Sequence, residues 1–224
     1  MLQTIAPATP FDASRRKRSK LPKPSAASPH LSARSSELGP ESYRLTIHHC
    51  EVLDSAGLLP ARYELIGGMI YEKMPTKPRH SYILYLLSCW MESLFGRAYV
   101  KTQDKVKIEG KYNRPEPDIT VMNKPMSAFQ SLHPGSTDMH LVIEISDTTL
   151  DFDQNTKADI YSAAGIVEYW VVDVNNRVII VHRQASPDGY LDIQSFGSDD
   201  LISTAAKPGE SILVGELLPL PDQA

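Results

Sequence analysis

The segment His140-Leu141-Val142-Ile143-Glu144-Ile145-Ser146 constrains this chain more than any other. Its Leu, Val and Ile residues occupy both parities of a strand, so neither row of side chains can face water. It reads as a central strand covered on both faces, which calls for a sheet flanked by helices. Glu144 sits in its middle. An ionised carboxylate there is costly unless a cation answers it. Two cations can do so: a divalent metal shared with Asp118 of Pro117-Asp118-Ile119-Thr120-Val121-Met122, or Lys157, thirteen residues further on.

Residues Asp153 to Ala164 carry an amphipathic helical pattern, with Asp153 as the expected N-cap and Gly165 just past the end. Lys157 shares a face with Ile160, Tyr161 and Ala164, because spacings of three, four and seven fall on one side of a helix. That face should pack on the sheet and carry the ammonium toward Glu144 and Asp118. Two carboxylates and a lysine form a hydrolytic set: the acids hold Mg2+ or Mn2+, and the lysine orients the attacking water or helps deprotonate it. The same residues also read as a partly buried ion pair beside one surface aspartate, with the lysine stem covering apolar surface. The spacing is compatible with both.

Length and charge narrow the setting. A chain of 224 residues fits one domain, over 41–224, preceded by a tail. Residues 1–40 are rich in Pro, Ser and Ala and hold seven basic residues against Asp12 and Glu37, so they are expected to be a disordered basic tail. The net charge of -4 then leaves -9 on the remainder. Such an acidic body does not suit a dedicated, tight nucleic-acid binder, which needs basic surface, but it allows an enzyme that meets nucleic acid through a metal and a local basic patch. Cys50 and Cys89 read as free thiols in a reducing compartment. The most apolar run, Tyr82 to Leu87, is too short to span a bilayer, and the N-terminus has no signal-peptide pattern. A cytoplasmic protein with no membrane partner is expected.

Along the chain, Thr46 caps an expected helix from Ile47 to Ala56. Strands at Arg62–Ile66 and Met69–Lys73 flank Gly67-Gly68, a two-residue hairpin turn. Ser81 to Phe95 is a helix apolar on nearly every side, which points to a core helix that also meets a second subunit, hence a homodimer. Strands are expected at Tyr99–Thr102, Lys105–Ile108, Ile119–Met122, Glu168–Val174, Val178–His182, Tyr190–Phe196 and Ile212–Val214, with a helical turn within 123–139. The fold class is α/β (α+β): a mixed, mostly antiparallel sheet with two main helices, and a strand–helix–strand crossover from Glu144 to Val174 allowing a parallel pair. Phosphate-loop, dinucleotide-loop, HExxH, CxxC and GxSxG motifs are all missing from the sequence.

Several segments together resemble the Uma2 family of restriction-endonuclease-like proteins, part of the PD-(D/E)xK nuclease superfamily. These are Tyr63-Glu64-Leu65-Ile66-Gly67-Gly68, Pro78-Arg79-His80, Pro117-Asp118, Leu141 to Ser146, Asp153 to Lys157, and Gly165-Ile166-Val167-Glu168-Tyr169-Trp170-Val171-Val172-Asp173. The resemblance covers roughly residues 43 to 215. It implies a restriction-endonuclease-like fold and Mg2+- or Mn2+-dependent hydrolysis of phosphodiester bonds, with DNA as the substrate and RNA not excluded. It makes Asp118 and Glu144 metal ligands, Glu64 a further ligand, and Lys157 the active-site lysine, moved from the strand to the following helix, where position 146 holds Ser. His80 falls where a side chain touches phosphate or the site; capping the following helix is the alternative. Ser146-Asp147-Thr148-Thr149 departs from the family by placing a carboxylate where a proline is common. The competing class is a non-catalytic, dimeric nucleic-acid- or protein-binding module that keeps the acidic cluster as a metal or structural site.

Overall fold

The computed structural model describes residues 43–220. The expected N-terminal tail, residues 1–40, lies outside them. Thr46 opens helix α1 (Ile47–Ser55) through a reciprocal cap: its hydroxyl accepts from the His49 backbone N–H, and His49 Nδ1 receives the Thr46 N–H. Strands β1 (Tyr63–Ile66) and β2 (Met69–Glu72) then form an antiparallel hairpin. Both turn residues have positive φ, +61° at Gly67 and +83° at Gly68, as the expected two-residue turn requires.

Helix α2 (Pro78–Phe95) begins three residues before its expected start, with Pro78 in the first turn where its missing N–H costs nothing. It leads into the main sheet. Strands β3 (Val100–Thr102), β4 (Ile119–Met122), β5 (Met139–Ser146), β6 (Glu168–Asp173), β7 (Val178–Ser186) and β8 (Gly189–Phe196) lie side by side in chain order. Every neighbouring pair is antiparallel except β5 and β6, which are parallel and joined by the helical crossover. A small ribbon of β9 (Leu201–Ile202) and β10 (Ile212–Leu213) precedes a last helical turn, Val214–Leu217.

The central strand is buried from Leu141 to Ser146, as its two-parity apolar pattern demands. Ile143 and Ile145 face α2, where Ile83, Leu87 and Met91 meet Trp170, Val172 and Val181. Val142 faces the opposite layer with Val171, Tyr169, Ala158 and Tyr161. Since side chains alternate along a strand, Glu144 shares the Val142 face and looks toward the crossover helix. Burial of both rows is what holds this register, because a one-residue slip would exchange the two faces.

Two expectations need correction. Residues 105–108 do not form a strand: Val106 and Ile108 are buried, but the Val106 and Lys107 N–H groups bond to the carbonyls of Pro115 and Pro134, which ties this segment to loops. Asp153 is not an N-cap, because helical structure already begins at Leu150. Phe152–Lys157 forms a wide π-helical stretch, and α3 (Ala158–Ala163) continues it. Asp153 therefore lies inside the helix and faces the sheet.

Candidate active site

The site forms where the β1–β2 hairpin, the start of β4, the C-terminal half of β5 and the crossover helix face one another. Ile119 pairs with Ile143 in the β4–β5 register, and one further step sets Asp118 opposite Glu144. Residues opposite each other on neighbouring strands share a face, and like charges so placed repel. The pair is answered differently on its two sides. Asp118 Oδ2 accepts the Ile145 N–H at 2.8 Å, while Oδ1 meets Gln103 Nε2 at 3.5 Å and His80 Nε2 at 3.3 Å. The histidine approach is a close polar contact whose direction falls short of a hydrogen bond. Burial would raise the Asp118 carboxyl, but His80, the Lys73 charge and the Ile145 N–H outweigh it and hold the group at about 2.

Lys157 stands on the other side, and its surroundings are closed. Its side chain is only 4 % exposed. Nζ lies 3.0 and 2.9 Å from the two oxygens of Glu64, 2.9 Å from Glu144 Oε1 and 3.6 Å from Asp153 Oδ1. Glu64 is further fixed by the Glu116 N–H at 2.7 Å, and Asp153 by the hydroxyls of Ser146 and Thr149, each at 2.6 Å. Tyr161 donates its hydroxyl to Glu144 Oε1 at 3.0 Å. Burial pushes the Glu144 carboxyl up to about 8 despite Lys157 beside it, because one ammonium is shared among three acids. The Glu64 carboxyl is held below its ordinary value: burial opposes this, and Lys157 with Lys73 prevails. Burial works against the ammonium as well, yet Glu144, Glu64 and Asp153 raise Lys157 well above the usual lysine range.

Glu64, His80, Asp118, Glu144, Asp153 and Lys157 line one cleft of about 580 Å³, walled also by Arg62, Lys73, Lys77, Asp147 and Phe152. Asp147, the carboxylate of the departing loop, is paired with Lys77 at 2.6 Å. Its charge is thus partly answered at the mouth of the cleft.

Each sequence-derived candidate has a definite place. Glu64, Glu144 and Lys157 come together in one buried cluster, with Asp118 opposite Glu144 and His80 beside Asp118. Lys157 reaches Glu144 as expected, but its other carboxylate partners among the described residues are Glu64 and Asp153, not Asp118. His80 lies in the first turn of α2, and that helix has no side-chain cap. Ser146, at the position where the superfamily pattern would put a lysine, is tied to Asp153 instead. Lys73 escaped the sequence reading. Hairpin register could have found it, since Lys73 continues the face that carries Tyr71 and Glu64.

Mg2+ takes hard oxygen ligands, often one or two carboxylates, and keeps several waters. Asp118 and Glu144 fit that demand: neighbouring strands present both to the same cleft, and Glu144 Oε2 has no hydrogen-bond partner among the described residues. Glu64 fits less easily, because both its oxygens are engaged by Lys157. Among the described residues, no group of three or more His, Cys, Asp or Glu side chains is gathered as for an all-protein cage.

A mixed, mostly antiparallel sheet between helices, with acidic groups at the end of its central strands, is the restriction-endonuclease-like fold. Residues 58–214 match the Uma2 family, whose description is "Putative restriction endonuclease". The chain belongs to that family, within the PD-(D/E)xK nuclease superfamily. It is also similar to a crystal structure titled as that of "a putative nuclease belonging to DUF820" from Anabaena variabilis. The TM-score is 0.56 at 18% identity, over 74% of this chain and 96% of that one. At this identity the likeness is one of fold. No curated protein matches the chain.

Proposed function

We propose that this protein is a metal-dependent endonuclease that hydrolyses phosphodiester bonds in DNA, with Mg2+ or Mn2+ held by Asp118 and Glu144. The observation that carries the reading is the placement of these two carboxylates opposite each other in one cleft, with a third acid and a lysine behind them. A bound divalent ion would neutralise charge on the phosphate and lower the pKa of the attacking water. Asp118 stays ionised throughout the physiological range, so its charge is always ready for a cation. Burial lifts the Glu144 carboxyl to about 8, so a proton competes for it, and Oε2 is the open oxygen, because Oε1 already accepts from Lys157 and Tyr161. A cation replaces that proton. Glu64 serves chiefly to anchor Lys157, and His80 steadies Asp118.

Assembly and location complete the reading. The outer side of α2 leaves Tyr82 52 % and Tyr85 61 % exposed, with Cys89 exposed nearby, and we assign this side to a homodimer contact. Sedimentation would then give twice the 24.9 kDa chain mass. Among the described residues no helix is long and apolar enough to cross a membrane. A DNA substrate and two free thiols go with the cytoplasm.

The test is cleavage of supercoiled plasmid, linear duplex, single strand and RNA with Mg2+ or Mn2+, comparing wild type with Asp118→Asn and Glu144→Gln. Cutting by wild type alone supports the nuclease. Activity that survives equally in both variants, or no cutting of any substrate, removes it. A second reading, the non-catalytic binding module, is favoured by one observation: the donors of Lys157 are all spent on the protein's own carboxylates. DNA binding without cutting would support it.

A further inference from the structure

Lys73 and Lys157, two of the three lysines that line the cleft, differ in what they have left to give. An ammonium has three N–H donors. Lys157 has four carboxylate oxygens within 3.6 Å, so its donors are spent inside the protein. Lys73, just past β2, makes one hydrogen bond, at 2.6 Å to the carbonyl of Glu116. Its nearest acidic oxygen, Glu64 Oε1, is 3.9 Å away, beyond hydrogen-bond reach. Two of its donors therefore have no protein acceptor among the described residues. The side chain is 18 % exposed, so the charge is largely shielded yet open to the cleft it lines.

Position supports the same conclusion. The Glu116 carbonyl that holds Lys73 lies two residues before Asp118, so the ammonium is tied to the segment that presents a proposed metal ligand. The Lys73 backbone N–H bonds to the Arg62 carbonyl at 3.1 Å, which extends the hairpin and sets the side chain on the cleft face. Arg62 and Lys77, the arginine and the other lysine beside it, are each paired with a carboxylate, of Glu116 and of Asp147, and their side chains are more open to solvent than that of Lys73, 39 % and 65 % exposed.

We propose that Lys73, not Lys157, is the side chain that contacts the phosphodiester of the substrate, while Lys157 is confined to holding the carboxylates in place. The proposal rests on the nuclease reading and divides its labour. A point charge with free N–H donors, in a site that excludes most water, is suited to charge growing on phosphate oxygens in the transition state. A lysine whose donors are all taken cannot serve that end without dismantling the cluster that holds it.

The experiment compares wild type with Lys73→Met, Lys73→Gln and Lys73→Arg on two readouts. One is the kcat and KM of Mn2+-dependent plasmid cleavage. The other is calorimetric binding of a dithymidine phosphorothioate dinucleotide in the presence of Mn2+, which needs no turnover. Gln removes the charge but keeps N–H donors on the same stem, so it tests the charge even if Met fails to fold. The expected result is a loss of about 100-fold or more in kcat/KM for Met and Gln, with partial rescue by Arg. Dinucleotide affinity falls in parallel, while Mn2+ affinity and Tm stay near wild type. If wild type binds the dinucleotide but cuts nothing, the nuclease reading falls, and Lys73 stands as a phosphate contact only if its Met and Gln variants lose that binding. Binding or cleavage within twofold of wild type in the Gln variant overturns the proposal. So does a wild type that neither binds nor cuts.

Discussion

Replacing Lys157 by Met tests the core of this site most directly, because the change keeps the length and apolar stem and deletes only the charge. The side chain is buried, and its ammonium touches Glu64, Glu144 and Asp153. Removing one partner of a buried ionic cluster costs about 3–5 kcal/mol, because the remaining charges stay desolvated and unanswered. For a domain of this size, each kcal/mol lowers Tm by about 2–4 °C, so a fall of about 6–20 °C is expected without metal. The loss should grow with pH. Glu144 has a carboxyl raised to about 8, above its unfolded value, so its contribution is fully present in acid and is lost as pH rises through the folded value. At about pH 6 the carboxyl is protonated in both proteins and the deficit is smaller; at about pH 8.5 the wild-type carboxyl ionises against the ammonium, whereas in the variant, with Lys157 no longer drawing it down, it must hold its proton or ionise unanswered. Urea unfolding at both pH values, on Lys157→Met and on Lys157→Met/Glu144→Gln, measures this. The double variant should recover part of the loss, since the two groups touch and their effects are coupled. A loss under about 1 kcal/mol at both pH values would refute the argument, because exposed ion pairs are worth no more than that.

Asp118, held at about 2, stabilises the fold above its unfolded value, and the contribution disappears as pH falls from about 4 through 2; the shift is worth about 2 kcal/mol, and Asp118→Asn should flatten this part of an acid-denaturation curve. Tyr161→Phe leaves Glu144 Oε1 short of one donor, so a loss of about 1–2 kcal/mol is expected in urea melts, together with a further rise of the Glu144 carboxyl. Gly68→Ala should destabilise by more than Gly57→Ala. Both glycines have positive φ, but a Cβ at Gly68 would lie 2.7 Å from Arg44 Cβ, whereas at Gly57 it meets open space. Equal melting of these two variants would mean that Arg44 moves aside freely.

The identity of the central strand was legible because two rows of apolar residues leave a strand no solvent face, and one carboxylate in such a run demands an answer. The hairpin, the α1 cap and the helix carrying Lys157 were legible too, since glycines at a two-residue turn, a threonine before a helix and a three–four spacing act over a few residues. What could not be read was that Lys157, besides Glu144, meets Glu64 and Asp153 and not Asp118, and that Lys73 keeps donors unspent. Glu64 and Lys157 are 93 positions apart. Their contact exists only because β1–β2 folds against the crossover helix. Asp153 showed the same limit: an acid at the start of an apolar periodic run has the local marks of a cap, yet the helix begins earlier and turns it inward to Ser146 and Thr149. Periodicity, turns and caps are set by neighbours along the chain, so the sequence carries them; donor saturation and burial are set by whatever packs opposite, which tertiary structure alone supplies.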